Sequence, residues 1–120
     1  MATRFVATKE CDADEEFKKA YVKAKKEDIK IIKSPVGMPG RAIYNKFIKI
    51  AESEKSHIDK CYNCIKTCNV ANTPYCITKA LINSVKGNLE NGLIFCGSNV
   101  EKVKEIVSVH NLMNELVCEI

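Results

Sequence analysis

The sequence has little of what several classes of protein require. It contains no tryptophan, and only two of its 19 basic residues are arginines, Arg4 and Arg41. Nucleic-acid readers favour arginine for paired contacts to bases and phosphates, so the net charge of +4 indicates a solvated lysine-rich surface instead. No apolar run approaches the roughly 18 residues of a membrane span, and the first residues lack the apolar stretch of a secretion signal. We therefore expect a cytoplasmic protein that binds neither nucleic acid nor membrane.

Cysteine, by contrast, is abundant, with seven residues in a chain of 120. An odd number without a secretion signal favours a reducing compartment with free or metal-bound thiols. Four of the seven follow the spacing C-x₂-C-x₃-C-x₇-C, at Cys61, Cys64, Cys68 and Cys76. Four thiolates at this spacing are typical of a site for Zn²⁺ or an iron–sulfur cluster. Cys11, Cys96 and Cys118 have no such spacing, and we expect them to be free.

A second interpretation of the cysteine-rich segment 61–76 keeps it metal-free. On a helix the first three cysteines would form one apolar stripe of small buried side chains. Helical rise would then place Cys61 and Cys68 roughly 10 Å apart, too far to share one zinc ion with bonds of about 2.3 Å. Metal binding therefore requires a loop, which Asn63, Asn69 and Pro74 permit. Both interpretations, a metal site and buried inert thiols, stay open at this point.

Periodicity and capping signals predict an α/β chain that begins near the end of a strand and becomes mostly helical. Two Pro and two Gly predict a loop at 35–40. The predicted elements are strands at 3–8 and 28–34 and helices at 13–26 (capped by Asp12), 41–52, 76–86, from Ser98 onward, and 108–119.

Three segments resemble one enzyme family. Residues 1–5, Met-Ala-Thr-Arg-Phe, resemble the M-G-T-R-F segment of the nitronate monooxygenase (2-nitropropane dioxygenase-like) flavoenzymes, which also include type II enoyl-acyl-carrier-protein reductases. Residues 32–43 resemble the family segment that ends in a G-x-P-x-R-A-like pattern, and residues 92–99 match a later segment. The resemblance covers essentially the whole chain and the C-terminal third or so of a family member.

The fold that the resemblance implies is a TIM barrel that binds FMN. Such a barrel needs about 250 residues, so we expect this chain to be a C-terminal fragment of one. Residues 1–27 would hold the end of the last barrel strand and the following helix. Residues 28–120 would form a helical C-terminal or insertion region that carries the cysteine-rich segment 61–76.

The resemblance also implies a site. The M-G-T-R-F segment lies at the end of the eighth strand, where the N–H groups of Ala2 and Thr3, next to Met1, and the Thr3 hydroxyl would meet the FMN phosphate. Ala2 replaces the usual glycine but keeps its N–H group. The rest of the FMN site and the catalytic histidine come from upstream strands in family members. Neither His57 nor His110 lies in a matching motif, so the catalytic residues stay unknown.

The leading prediction is therefore a fragment of an FMN-dependent oxidoreductase that oxidises alkyl nitronates with dioxygen. One alternative on the same scaffold is NAD(P)H-dependent reduction of an enoyl thioester. Another is a free-standing metal-binding module with four cysteine ligands. We expect the isolated chain to be inactive and to bind no FMN tightly, and to be completed by a separate barrel chain or by self-association. Helices that evolved to cover a barrel would expose apolar patches when the barrel is missing.

Overall fold

The computed structural model describes residues 1–54 and 56–120. Within these ranges five α-helices and two β-strands are formed, joined by single turns of 3₁₀ helix at Lys26–Asp28, Leu89–Asn91 and Val100–Lys102. In chain order the elements are α1 Ala2–Val6, α2 Glu15–Lys23, β1 Ile29–Lys33, β2 Pro39–Ile43, α3 Lys46–Ser53, α4 Ile77–Val85 and α5 Val109–Cys118.

A small antiparallel sheet organises the middle of the chain. Strand β1 pairs with β2 in the register Ile29↔Ile43 to Lys33↔Pro39, across a turn in which the Gly37 N–H donates to the Ser34 carbonyl at 3.0 Å. Gly37 has a φ of +87°, a left-handed conformation that glycine adopts without steric cost. The later segment 94–96 adds to the free edge of β2, where an isolated bridge joins Ala42 and Phe95.

Apolar side chains pack in two clusters around this sheet. Neighbouring residues of a strand point to opposite faces, and accordingly Ala42 belongs to one cluster and Ile43 to the other. Leu93 and Ile94 divide in the same way. The first cluster also holds Ile32, Ile48, Tyr75, Ile77 and Ala80. The second also holds Phe17, Tyr21, Ala24 and Val100.

The strand predicted at residues 3–8 is wrong. Residues 2–6 form the short helix α1, and the chain extends only afterwards, where Thr8 makes a single parallel bridge to Val107. A helix of five residues forms its few hydrogen bonds locally, whereas a strand needs a neighbouring strand along its length. The Thr8 hydroxyl closes the helix by donating to the Phe5 carbonyl at 2.7 Å. Local hydrogen bonding therefore outweighs the β-prone composition.

Three helix predictions also need correction. The helix predicted from residue 41 begins only at Lys46, because Arg41 and Ala42 lie in β2 between two partners. The helix predicted at 13–26 is shorter, and its cap is Asp14, not Asp12; the Asp14 carboxylate accepts from the Glu16 N–H at 2.9 Å. The helix predicted from Ser98 is reduced to the 3₁₀ turn that starts at Val100.

The bounds predicted for three other elements are confirmed. Strand β1 and helices α4 and α5 lie within one or two residues of the predicted bounds. Residues 56–76 form turns and bends, so the cysteine-rich segment is not a continuous helix. Nowhere in 1–54 or 56–120 is a helix long and apolar enough to cross a membrane.

Candidate functional site

The first candidate site lies at the start of α1, where Met1 precedes the helix. The Arg4 N–H donates to the Met1 carbonyl at 3.0 Å and closes the first turn. The N–H groups of Ala2 and Thr3 come earlier in the helix, where no intrahelical acceptor exists. Neither has an acceptor elsewhere in residues 1–54 and 56–120. Two backbone donors are therefore available to a ligand.

The Thr3 hydroxyl adds a third donor. Its oxygen accepts a hydrogen bond from the Gly97 N–H at 2.9 Å, while its own proton has no acceptor among the residues with described positions. A Cβ on Gly97 would lie 3.2 Å from the Thr3 hydroxyl oxygen, so glycine allows the 97–99 loop to approach α1 closely. This contact joins two segments that are 94 residues apart in the chain.

A cavity of about 490 Å³ opens between these two segments. Arg4 and Lys102 line it with positive charge, and Glu115 and Glu119 of the α5 end line it with negative charge. Arg4 is already paired, because its guanidinium lies 2.6 Å from the Glu115 carboxylate. The cavity therefore combines the Thr3 donors with Lys102 and Glu119, neither of which has an ion-pair partner among the described residues, and Ala2 is not one of its lining residues.

Thr3 and Lys102 present donors of the kind that a phosphate group accepts from. They supply hydrogen-bond donors but no group placed for proton or hydride transfer. His57 is 89% exposed and lies 3.2 Å from the Asp59 carboxylate. His110 is exposed on α5, where its Nε2 lies 3.1 Å from the Asn114 amide nitrogen. Neither histidine lines the cavity beside Thr3.

A buried tyrosine, to which no sequence motif pointed, anchors the backbone just before the 97–99 loop. The Tyr21 hydroxyl donates to the Phe95 carbonyl at 2.7 Å, two residues before Gly97. Burial raises the pKa of Tyr21 far above its ordinary value, with smaller contributions from Cys96 and Cys11. Burial also raises the pKa of the Cys96 thiol, and the nearby Arg41 partly offsets that rise. The apolar stripe of α2 pointed only to a core role for Tyr21.

The second candidate site contains the four cysteines of the spacing motif. Cys61, Cys64, Cys68 and Cys76 all line one cavity of about 240 Å³. Cys61 and Cys64 are exposed, the other two are half-buried, and all seven cysteines of the chain are free thiols. Across the described residues, no group of three or more His, Cys, Asp or Glu side chains is arranged to hold a single metal ion. The four cysteines therefore line one cavity, but their side chains are not placed to coordinate a single metal ion.

Comparisons with known proteins place the chain in a family. The family model described as nitronate monooxygenase matches residues 1–119. Among solved structures, FabK from Thermotoga maritima is similar at 24% identity with a TM-score of 0.74, covering 98% of this chain and 34% of that one. A point mutant of that FabK gives 23% identity and a TM-score of 0.69, covering 98% of this chain and 31% of that one.

The likeness to FabK concerns the fold, and this chain spans about a third of the length of those structures. The comparison with curated proteins gives no match. The family model, however, covers all but the last residue, from Met1 to Glu119. The chain belongs to the nitronate monooxygenase family.

Proposed function

We propose that the chain forms the C-terminal part of an FMN-dependent oxidoreductase barrel that oxidises alkyl nitronates with dioxygen. The observation that carries this proposal is the family match over residues 1–119, whose members are flavin enzymes. FMN, when bound, supplies the electron-transfer chemistry. The role of this chain is to bind and orient the cofactor.

In this proposal the start of α1 binds the FMN phosphate. The N–H groups of Ala2 and Thr3 and the Thr3 hydroxyl donate to phosphate oxygens, with Met1 completing the segment. The Gly97 N–H fixes the Thr3 hydroxyl oxygen at 2.9 Å, so that the hydroxyl proton points away from Gly97. Lys102 adds positive charge at the same cavity. Such a ring of amides and a hydroxyl is the usual chemistry of phosphate recognition in barrel enzymes.

We propose further that the chain works with a partner, either a separate chain that supplies the rest of the barrel or a second copy of this chain that covers its exposed apolar surface. Its radius of gyration is 15.5 Å, larger than the roughly 13.6 Å expected for a compact domain of this length. Large apolar side chains also face solvent, including Ile31 at 61% exposure and Val117 at 63%. Partner surfaces are a common reason for such exposure. The seven free thiols support a reducing, cytoplasmic location.

The second candidate reaction is NAD(P)H-dependent reduction of an enoyl thioester, which the sequence resemblance also implies. The likeness to FabK is a likeness of fold and suits either reaction. Substrate choice in a barrel depends on residues at the ends of several strands. An activity assay, not this chain's geometry, therefore separates the two candidates.

The test reconstitutes the enzyme from two chains. This chain is co-expressed with the barrel-forming two thirds of a nitronate monooxygenase family member from the same organism, and the purified pair is assayed with an alkyl nitronate plus dioxygen and with an enoyl thioester plus NAD(P)H. We expect a pair that contains flavin and consumes the nitronate. Turnover of the thioester alone would favour the second candidate. A pair that forms without flavin would contradict the phosphate assignment, and failure to pair would contradict the partner proposal.

Thr3 provides a matched control within this experiment. Thr3→Ser keeps the hydroxyl and should keep the flavin, whereas Thr3→Val removes the donor and should weaken flavin retention about 10-fold, as expected for one hydrogen bond to a charged group. Thr67→Val changes an exposed residue that does not line the cavity and should have no effect. Equal flavin loss in all three variants would contradict a specific role for the Thr3 hydroxyl.

A further inference from the structure

The sheet in the middle of the chain leaves one edge open. Strand β2 has a neighbour on both sides, since β1 pairs with one edge and the 94–96 segment adds to the other. Strand β1 has β2 on one side and no strand on the other within residues 1–54 and 56–120. An uncovered strand edge presents a row of unpaired N–H and C=O groups, which is a template for pairing with another strand.

The hydrogen bonds of the sheet identify which groups of β1 face this open edge. In an antiparallel pair, alternate residues direct both their N–H and C=O groups toward the partner strand. The Tyr44 N–H donates to the Asp28 carbonyl at 2.6 Å, so Asp28 and every second residue after it face β2. The residues between them therefore face the open edge: Ile29, Ile31 and Lys33.

Most of these outward groups have no partner. The Ile29 N–H donates to the Lys26 carbonyl, but the backbone groups of Ile31 and Lys33 make no hydrogen bond to any described residue. The Ile31 side chain is also exposed, and the cavity of about 450 Å³ beside this edge is lined in part by Ile48 and Tyr75. The edge therefore offers main-chain bonds next to an apolar surface, the combination by which proteins bind an added strand.

The strand that fits this edge is β1 of a second copy. With Ile31 opposite Ile31 in an antiparallel pair, all three outward residues of one copy meet those of the other. The two Ile31 residues then exchange N–H···O bonds, and each Lys33 N–H donates to the Ile29 carbonyl of the other copy. Sliding the strands by two residues matches fewer outward residues, and in one direction it sets Lys30 against Lys30, which is unfavourable.

The same register suits the charges of the strand. It places Lys30 opposite Ile32 and Lys33 opposite Ile29, so no lysine faces another lysine. Lys33 also comes to the start of the other copy's strand, next to the exposed Glu27. Neither Lys33 nor Glu27 has an ion-pair partner within the described part of the chain.

We propose that the chain dimerises by antiparallel pairing of β1 with β1 of a second copy, with Ile31 on the two-fold axis. The contact involves one short strand from each copy, so association depends on concentration and is weaker than in an obligate dimer. The inference rests on the partner proposal above, for which it names the surface that a second copy covers. It is separate from the flavin assignment, because neither Thr3 nor Lys102 lines the cavity beside β1.

The test is residue-resolved amide hydrogen exchange of the isolated chain, reduced and free of flavin, at increasing concentrations, with sedimentation velocity in parallel. The Lys30 and Ile32 amides face β2 and should be protected throughout, which makes them internal controls. We expect the Ile31 and Lys33 amides to exchange freely in the dilute chain and about 10-fold more slowly once it dimerises. Free exchange of these two amides in the dimer, or a chain that stays monomeric, would overturn the proposal.

The same measurement separates this proposal from the flavin function. Protection of the Ile31 and Lys33 amides that appears only when the barrel-forming chain is added would make that chain the occupant and overturn the second copy. Failure of the pair to bind flavin leaves the exchange rates of the isolated chain unchanged. The two proposals therefore fail independently.

Substitutions test the bonds and the register. Ile31→Pro removes an outward N–H and spares the bonds to β2, so it should raise the dimer dissociation constant about 10-fold relative to Ile31→Ala, which keeps the N–H. Far-UV circular dichroism checks the fold of both variants. Lys33→Glu and Glu27→Lys should each weaken the dimer, and the double variant should restore it, with Glu90→Lys at an exposed carboxylate outside this edge as the control. Equal weakening by Ile31→Pro and Ile31→Ala, or no restoration in the double variant, would overturn the proposal.

Discussion

Two tyrosine hydroxyls illustrate how individual residues stabilise this fold differently. Tyr21 and Tyr75 are 3% and 5% exposed, and each makes an edge-on contact with a phenylalanine ring. The Tyr21 hydroxyl donates to the Phe95 carbonyl at 2.7 Å, whereas the buried Tyr75 hydroxyl has no partner in the described residues. Burying a hydroxyl without a hydrogen bond costs free energy. The two buried side chains therefore differ chiefly in whether the hydroxyl has a hydrogen-bond partner.

Removing each hydroxyl tests this difference. Tyr21→Phe leaves the Phe95 carbonyl without its donor, so we expect the free energy of unfolding to fall by about 1–2 kcal/mol. Tyr75→Phe removes only an unsatisfied hydroxyl, so the stability should stay the same or rise slightly. Urea unfolding followed by circular dichroism measures both. Equal destabilisation by the two substitutions would contradict a specific contribution from the hydrogen bond between the Tyr21 hydroxyl and the Phe95 carbonyl.

The same tyrosines predict a loss of stability at alkaline pH. Burial raises the pKa of Tyr75 from 10.0 to about 12, and it raises that of Tyr21 further. The unfolded chain therefore ionises these groups first, and their contribution is complete below pH 10 and is lost as the pH rises toward 12. Unfolding midpoints at pH 9, 10 and 11 should fall for the wild type and fall less for Tyr75→Phe. Parallel curves for the two proteins would contradict this linkage.

At the scale of elements, Asn45 joins α3 to the rest of the chain. Its side-chain oxygen accepts from the Ile48 N–H at 3.1 Å and caps the helix. Its amide nitrogen donates to the Leu89 carbonyl at 3.2 Å and the Gly92 carbonyl at 2.9 Å. One residue thus starts a helix and ties it to a segment more than forty positions later. Ser108 caps α5 through the Asn111 N–H at 3.1 Å alone.

Substitution of the two caps separates these roles. Ser108→Ala loses only a cap and should cost about 1 kcal/mol of unfolding free energy. Asn45→Ala also leaves two carbonyls without donors and should cost about 2–4 kcal/mol. Asn45→Asp keeps the acceptor but not the donors, so its cost should lie above that of Ser108→Ala. Chemical denaturation provides the values, and equal costs for Asn45→Ala and Ser108→Ala would contradict the tie between α3 and the 89–92 segment.

Elements with local signals could be predicted from the sequence. Apolar periodicity and serine capping locate α5, and a glycine after Lys86 ends α4, because these signals act within one or two turns. Strand β2 could not be predicted, since Arg41 and Ala42 are strand residues only through β1 on one edge and the 94–96 segment on the other. For the same reason residues 3–6 of the β-prone stretch 3–8 form a helix, and only Thr8 pairs with another segment.

The candidate sites also combine local features that the sequence indicates with contacts between distant residues that it does not. The spacing of the four cysteines suggested a shared site as one of two interpretations, and the four residues do line one cavity. The short resemblance at residues 1–5 pointed to Thr3. Its contact with Gly97, however, spans 94 positions, and no pattern in a single sequence specifies such a pairing. The Arg4–Glu115 ion pair at 2.6 Å is equally non-local.

At the scale of the whole molecule, the exposed apolar side chains are consistent with an absent partner. The principal extents are 50 × 27 × 24 Å, so the chain is elongated. A third cavity, of about 450 Å³, lies beside the exposed face of β1 and is lined in part by Ile31, Ile48 and Tyr75. Burial of such surface against a partner is favourable, at about 25 cal/mol per Å².

We therefore expect the isolated chain to self-associate as its concentration rises. Ile31→Lys and Val117→Lys place a charge on two exposed apolar positions and should shift the association to concentrations at least several-fold higher. Thr67→Lys adds the same charge at an exposed polar position and serves as the control. Sedimentation velocity over a range of concentrations measures the effect. A wild-type chain that stays monomeric throughout would contradict the proposal of an uncovered interface.

The central proposal is that this chain contributes one wall of an FMN site and depends on a partner for the rest. An FMN titration followed by flavin fluorescence tests it directly, first on the isolated chain and then on the chain paired with the remaining two thirds of a family member. We predict no binding by the isolated chain at micromolar FMN and tight, stoichiometric binding by the pair. Micromolar or tighter binding by the isolated chain, or a stable pair that binds no FMN, would contradict it.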